Sequence, residues 1–237
     1  MSVKAVIFDK DGTVLDFDAF WLPVAVRATE VIMSKLGVID VPSEKILESM
    51  GVVDGVASIN GSLCCGTSRD MAEDMHAAFR SYGYSFDIEK LTELTVEAYQ
   101  NSIDAGEIKP TCENIEEVME NLKSKGIMIA LVTSDGPVVT KKCLSELGID
   151  KYFDLVFTDD GTHPNKPDPF IINKLCEDYG FEKSKVVMVG DTLSDMNFAI
   201  NGGIRSIGIA KTIENKAILF SKTDTVIYDL SYLCTVI

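Results

Sequence analysis

Basic residues are scarce in this chain. Its 237 residues include 22 Lys and Arg against 37 Asp and Glu, a formal charge of −15. No stripe of cations is present to release counterions, so neither a nucleic-acid backbone nor an anionic membrane is expected as the main partner. An anionic substrate has to be met by a locally positive site. Histidine is scarcer still: His76 and His163 are the only two. They leave little material for histidine metal sites or Ser-His-Asp triads. No run approaches the roughly 18 consecutive apolar residues of a membrane span, and residues 1–15 lack the order of a signal peptide, so a cytoplasmic address is expected. The six cysteines show no CxxC spacing. Cys143 and Cys176 read as small buried hydrophobes on helix faces, and the adjacent Cys64 and Cys65 receive no chemical role.

Carboxylates, by contrast, fall at telling places. The apolar run Val3-Lys4-Ala5-Val6-Ile7-Phe8 leads straight into Asp9-Lys10-Asp11-Gly12-Thr13. Two acids one residue apart at a strand tip repel each other unless a cation sits between them, which points to a divalent metal with oxygen ligands. A second strand, Val186 to Val189, ends in Gly190-Asp191-Thr192-Leu193-Ser194-Asp195. Two such tips, adjacent in one parallel sheet, form a single pocket at its carboxyl edge.

From about Gly106 onward, short apolar runs alternate with amphipathic ones. Ile115, Val118, Met119 and Leu122 repeat at helical spacing before Gly126, and Ile127 to Val132 reads as a buried strand. Phe153 to Thr158, Val186 to Val189, Ile204 to Ile209 and Thr225 to Ile227 supply further strands, with a helix over 168–179 between the first two. This alternation predicts an α/β fold with a doubly wound parallel sheet. Residues 18–104 break the rhythm: helical patterns at roughly 20–36, 43–50, 68–82 and 89–103 are joined by turns, without a convincing buried strand. They read as a helical insertion. The expected division is therefore 1–17 with 105–237 as the α/β core, and 18–104 as the inserted domain.

The motifs together resemble those of the haloacid dehalogenase superfamily, specifically its phosphoglycolate phosphatase-like branch with a helical cap. The first motif is Asp9-Lys10-Asp11-Gly12-Thr13; the second is Thr133 after Ile129 to Val132; the third is Lys166 in Lys166-Pro167-Asp168-Pro169; the fourth is Gly190 to Asp195. The resemblance spans the whole chain. It implies a Mg²⁺-dependent phosphatase acting on a small phosphate monoester, with Asp9 as nucleophile and Asp11 as general acid and base. Mg²⁺ would be held by Asp9, the backbone carbonyl of Asp11, and Asp191. Asp195 would orient a metal-bound water or Lys166 rather than bind the ion. Gly12, Thr133, Ser134, Asp135 and Lys166 would surround the phosphate. Ser134 departs from the asparagine often found at this position of the family's second motif.

Other expectations concern single residues. Lys10 should point away from both acids and be structural or solvent-facing, and His163 should be a loop residue. The Lys166-Pro167 bond is a candidate cis peptide. Arg69, in the insertion, is the candidate contact to the substrate's non-transferring end. A phosphomutase of the same fold would use the same residues and return the phosphoryl group to sugar. A dehalogenase is disfavoured by the retention of Asp11 and Asp191. A receiver-type signalling module is disfavoured by the insertion and by Asp11. The oligomeric state is left open.

Overall fold

The computed structural model describes residues 2–237. The chain divides into two compact units, one containing residues up to Asp16 together with Ile108–Ile237, the other Phe17–Glu107. In chain order, strand β1 (Ala5–Phe8) opens the first unit. The second unit runs through α1 (Phe17–Leu36), α2 (Ser43–Ser49), a hairpin of β2 (Val52–Val53) and β3 (Val56–Ala57), α3 (Ser62–Cys65), α4 (Ser68–Ser81) and α5 (Ile88–Gln100). The first unit resumes with α6 (Ile115–Ser124), β4 (Met128–Val132), α7 (Pro137–Glu146), β5 (Leu155–Phe157), α8 (Phe170–Tyr179) and β6 (Val186–Gly190). It closes with α9 (Leu193–Gly202), β7 (Arg205–Ile209), α10 (Ile213–Leu219), β8 (Val226–Ile227) and α11 (Leu233–Val236).

Six parallel strands form one sheet in the order β5-β4-β1-β6-β7-β8. Strand β1 is apolar along its length because it is covered on both faces. Val6 and Phe8 point into a cluster with Ile129, Leu131, Val187 and Val189, closed by Ile115, Val118, Met119 and Leu122 of α6. Ala5 and Ile7 point the other way, into a cluster with Ala130, Val132 and Met188, closed by Ile171, Ile172 and Leu175 of α8 and Phe198 and Ala199 of α9. Period-two alternation on the strands thus meets helical periodicity on both sides, as a doubly wound sheet requires.

The helical unit has its own core. Val24, Ala28 and Ile32 of α1 pack with Ile46 of α2, Met71, Met75 and Phe79 of α4, and Leu91 and Tyr99 of α5. Thr67 starts α4 with a capping box, its side chain and that of Asp70 each bonding the other's backbone N–H. The stretch between the helical patterns at 43–50 and 68–82 contains the β2/β3 hairpin, turned by Asp54 and Gly55, both at positive φ. An Asp-Gly pair favours such a turn, and strands of two residues are too short to show a period in sequence.

Candidate active site

Strand β1 lies between β4 and β6, with Phe8 level with Leu131 on one side and Val189 on the other. The chain order reverses direction at β1, so the loops after these three strands converge at a topological switch point. The loop after β1 is tightly closed: the carbonyl of Lys10 accepts hydrogen bonds from the N–H groups of Val14 and Leu15, each at 2.9 Å. Gly12 takes φ +78° within it.

Lys166 donates hydrogen bonds to both Asp9 and Asp195, the latter at 2.7 Å from Nζ to Oδ1. The loop before α8 brings it there. The Lys166-Pro167 bond is cis, in line with the sequence expectation, and Asn201 of α9 donates to the carbonyl of Pro167 at 2.9 Å. Asp195 is fully buried and serves two partners. Its Oδ1 accepts from Lys166, and its Oδ2 accepts from the backbone N–H and hydroxyl of Thr192, completing a capping box at the start of α9. Gly190 makes room for it: a β-carbon there would lie 2.4 Å from Asp195 Cβ.

Carboxylate oxygens of Asp9, Asp191 and Asp195 can lie within 4.8 Å of one another. Burial, together with the charges of Asp195 and Asp11, raises the pKa of Asp9 to about 7 despite the opposing Lys166. Asp191 is raised well above the usual range by burial and then by Asp9 and Asp195, although Thr13 donates to its Oδ1 at 3.2 Å. An all-oxygen donor set carrying this much uncompensated negative charge suits a hard divalent cation such as Mg²⁺. Since both oxygens of Asp195 already accept hydrogen bonds, Asp9 and Asp191 are the side chains better fitted to ligate it.

On the β4 side, Thr133 is buried, and its hydroxyl accepts a hydrogen bond from the Asp135 N–H at 3.2 Å. Ser134 is exposed. Gly136 and Pro137 begin α7, so this turn ends at a helix N-terminus.

Lys10 departs from expectation. It neither points away from the acids nor faces solvent: it is fully buried, with Nζ 2.6 Å from Asp11 Oδ1 and 2.8 Å from Asp135 Oδ2. The strand rule that assigns it the opposite face stops applying at Phe8, where β1 ends and the chain begins to turn. Burial alone would lower its proton affinity, but Asp11 and Asp135 outweigh it and hold the ammonium charged. Asp135 is itself raised to about 6, chiefly by burial and by Asp11, with Lys10 opposing.

His163 lies in the loop before Lys166, as expected, but packs between Phe157 and Phe170, with ring centroids at 5.9 and 6.5 Å. Arg69 belongs to the helical unit, where its guanidinium pairs with Glu73 at 2.9 Å and Glu89 at 2.7 Å on the exposed side of α4. Thr13 and Thr192 contribute side chains that the motifs alone do not single out. The Thr192-x-x-Asp195 spacing is the readable signature of the second.

A family model for haloacid dehalogenase-like hydrolases matches residues 3–203. A phosphoglycolate phosphatase of Vibrio parahaemolyticus serotype O3:K6 is 30% identical over 211 residues, covering 87% of this chain and 83% of that protein. The pyrophosphatase PpaX of Bacillus velezensis is 27% identical over 221 residues, covering 90% and 85%. Among solved structures, a predicted phosphoglycolate phosphatase from Haemophilus somnus 129PT superposes with a TM-score of 0.74 at 18% identity, covering 99% of this chain and 97% of that one. With all four motifs present in order and a family match across most of the sequence, this chain belongs to the haloacid dehalogenase-like hydrolases, in their phosphoglycolate phosphatase-like branch.

Proposed function

We propose that the protein is a Mg²⁺-dependent phosphatase that hydrolyses a small phosphorylated metabolite in the cytoplasm through a phosphoryl group carried on Asp9. The observation that carries this reading is the ion pair between Lys166 and Asp9 beside the carboxylate of Asp191. A carboxylate held by a lysine among other acids, at a sheet's switch point, is arranged to meet a phosphate once its charge is balanced.

In the first half of the reaction, a carboxylate oxygen of Asp9 attacks phosphorus and the bond to the ester oxygen breaks. Asp11 gives its proton to that oxygen as the alcohol leaves. In the second half, Asp11 takes a proton from water while the water oxygen attacks phosphorus. The bond to Asp9 breaks, and inorganic phosphate and the original carboxylate are restored. Thr133 and the N–H groups of Ser134 and Asp135 bind the phosphoryl oxygens, with Gly12 leaving room, and Lys166 neutralises charge on Asp9 and phosphate alike. Asp9, the Asp11 carbonyl and Asp191 would hold Mg²⁺, which supplies charge neutralisation and orients the phosphoryl group. Asp195 holds Lys166 from behind.

The relatives direct the first assays. Phosphoglycolate, inorganic pyrophosphate and a hexose 1-phosphate, each with Mg²⁺, are to be compared by release of inorganic phosphate and by product analysis. Phosphate release from one of the first two, or from another metabolite monoester in a wider panel, is the expected result. Conversion of the hexose phosphate to its isomer without phosphate release would replace the phosphatase with a mutase.

A further inference from the structure

We propose that Lys10 is a positioning residue that fixes the carboxyl group of Asp11 for proton transfer to the leaving group. This rests on the reading of Asp11 as general acid and base given above. Asp11 lies in a turn, next to a glycine at positive φ and with its side chain partly exposed, so the backbone alone does little to select its rotamer. Lys10 contributes a fixed, charged partner to that selection. Its ammonium, without solvent exposure, makes charge-assisted contacts to Asp11 Oδ1 at 2.6 Å and to Asp135 Oδ2 at 2.8 Å. Anchoring Oδ1 sets the plane of the carboxyl group, and with it the direction along which a proton leaves or arrives.

The other end of the strut is firmly held. The carbonyl of Asp135 accepts from the Asp159 N–H at 2.8 Å. Asp135 follows β4 and Asp11 follows β1, so Lys10 ties the acid to the turn proposed to cradle the phosphate. The two buried lysines divide the work: Lys166 holds the nucleophile Asp9, and Lys10 holds the proton donor Asp11. A lysine that only filled space would be a poor occupant of this position, because burying its charge is costly unless both carboxylates are needed there.

The test is leaving-group dependence. For Lys10→Met, kcat/KM is measured with an alkyl phosphate, phenyl phosphate, p-nitrophenyl phosphate and dinitrophenyl phosphate. This parameter reports phosphoryl transfer to the enzyme, where an alkoxide leaving group needs the proton and a dinitrophenolate does not. The expected loss is about 10²-fold on the alkyl ester and about threefold or less on the dinitrophenyl ester, the range of general acid catalysis. A loss of equal size across the series means that Lys10 is only structural and overturns the proposal.

Asp11→Asn is run alongside. If it also shows no dependence on the leaving group, the acid assignment of Asp11 fails; if it shows a steep dependence while Lys10→Met does not, only the role of Lys10 fails. Should Lys10→Met not fold, the charge-balanced pair Lys10→Met with Asp135→Asn replaces it, with folding checked by circular dichroism. The same graded loss is expected of the pair, and a flat one is equally decisive against the proposal.

Discussion

The carboxylate of Asp191 occupies the space that a side chain on Gly12 would need: a β-carbon there would fall 2.1 Å from Asp191 Oδ2. Gly12 also holds φ +78°, where side chains are strained. Gly12→Ala therefore pushes the Asp191 carboxylate out of place. Because that carboxylate is the end of a side chain and can swing away, the site suffers more than the fold. The expected outcome is a stability loss of about 1–2 kcal/mol, with a larger proportional rise in the Mg²⁺ concentration needed for half-maximal activity. Thermal melts and metal titrations check the two effects separately.

Asp9→Asn keeps the shape of the side chain but removes the anion proposed as nucleophile. Turnover is expected to vanish in a protein that still folds. Because Asp9 is raised to about 7, its charged form is disfavoured by the folded state, chiefly through burial. The neutral amide should thus raise the melting temperature of metal-free protein at pH 8, by roughly 2–4 °C for each kcal/mol recovered. A folded Asp9→Asn enzyme with substantial phosphatase activity would remove the covalent route.

Stability of the metal-free wild type should depend on pH in a defined direction. A carboxylate whose folded pKa lies above its unfolded value binds more protons when folded, so stability rises as pH falls through the folded pKa. With Asp9 near 7 and Asp135 near 6, the metal-free protein is expected to melt at higher temperature at pH 5.5 than at pH 8. Asp9→Asn should flatten the upper part of that profile, between pH 8 and about 6. Denaturant midpoints of both proteins across this range measure the difference.

Activity should require Mg²⁺ and disappear with a chelator, because Asp9 and Asp191 would otherwise face an anionic phosphate without a counter-charge. Ca²⁺ should inhibit, since its larger coordination number allows Asp9 to bind through both oxygens and blocks attack. Full turnover in excess chelator would sink the metal assignment.

The strand tips are legible in the sequence because acids placed directly after a buried apolar run are costly to keep there without a cation or a reaction to serve, and Asp9, Asp191 and Asp195 do meet. Asp195 shows how one residue can carry two sequence signals at once: it caps α9 through Thr192 and holds Lys166 with its other oxygen. Lys10 is misplaced by the sequence pattern because alternation does not continue past the end of β1 at Phe8 into a turn. Its partner Asp135 lies 125 positions further along, a contact that no local pattern encodes. The pairing of Arg69 with Glu73 is similarly visible as an i, i+4 spacing, whereas Glu89 reaches it only through the packing of α4 and α5.

The central place of β1 has a consequence for how the chain acquires its structure during synthesis. Ala5–Phe8 is made well before both of its neighbours, Met128–Val132 and Val186–Gly190. Throughout that interval its backbone donors and acceptors have no native strand to pair with, while the cluster built on Val24, Met75 and Leu91 can close among residues already made. The helical segment is thus free to fold early. The strand that leads into Asp9 waits for partners made long after it, and long-range pairing of this kind slows folding and leaves an apolar strand open to wrong partners until Val186–Gly190 is available.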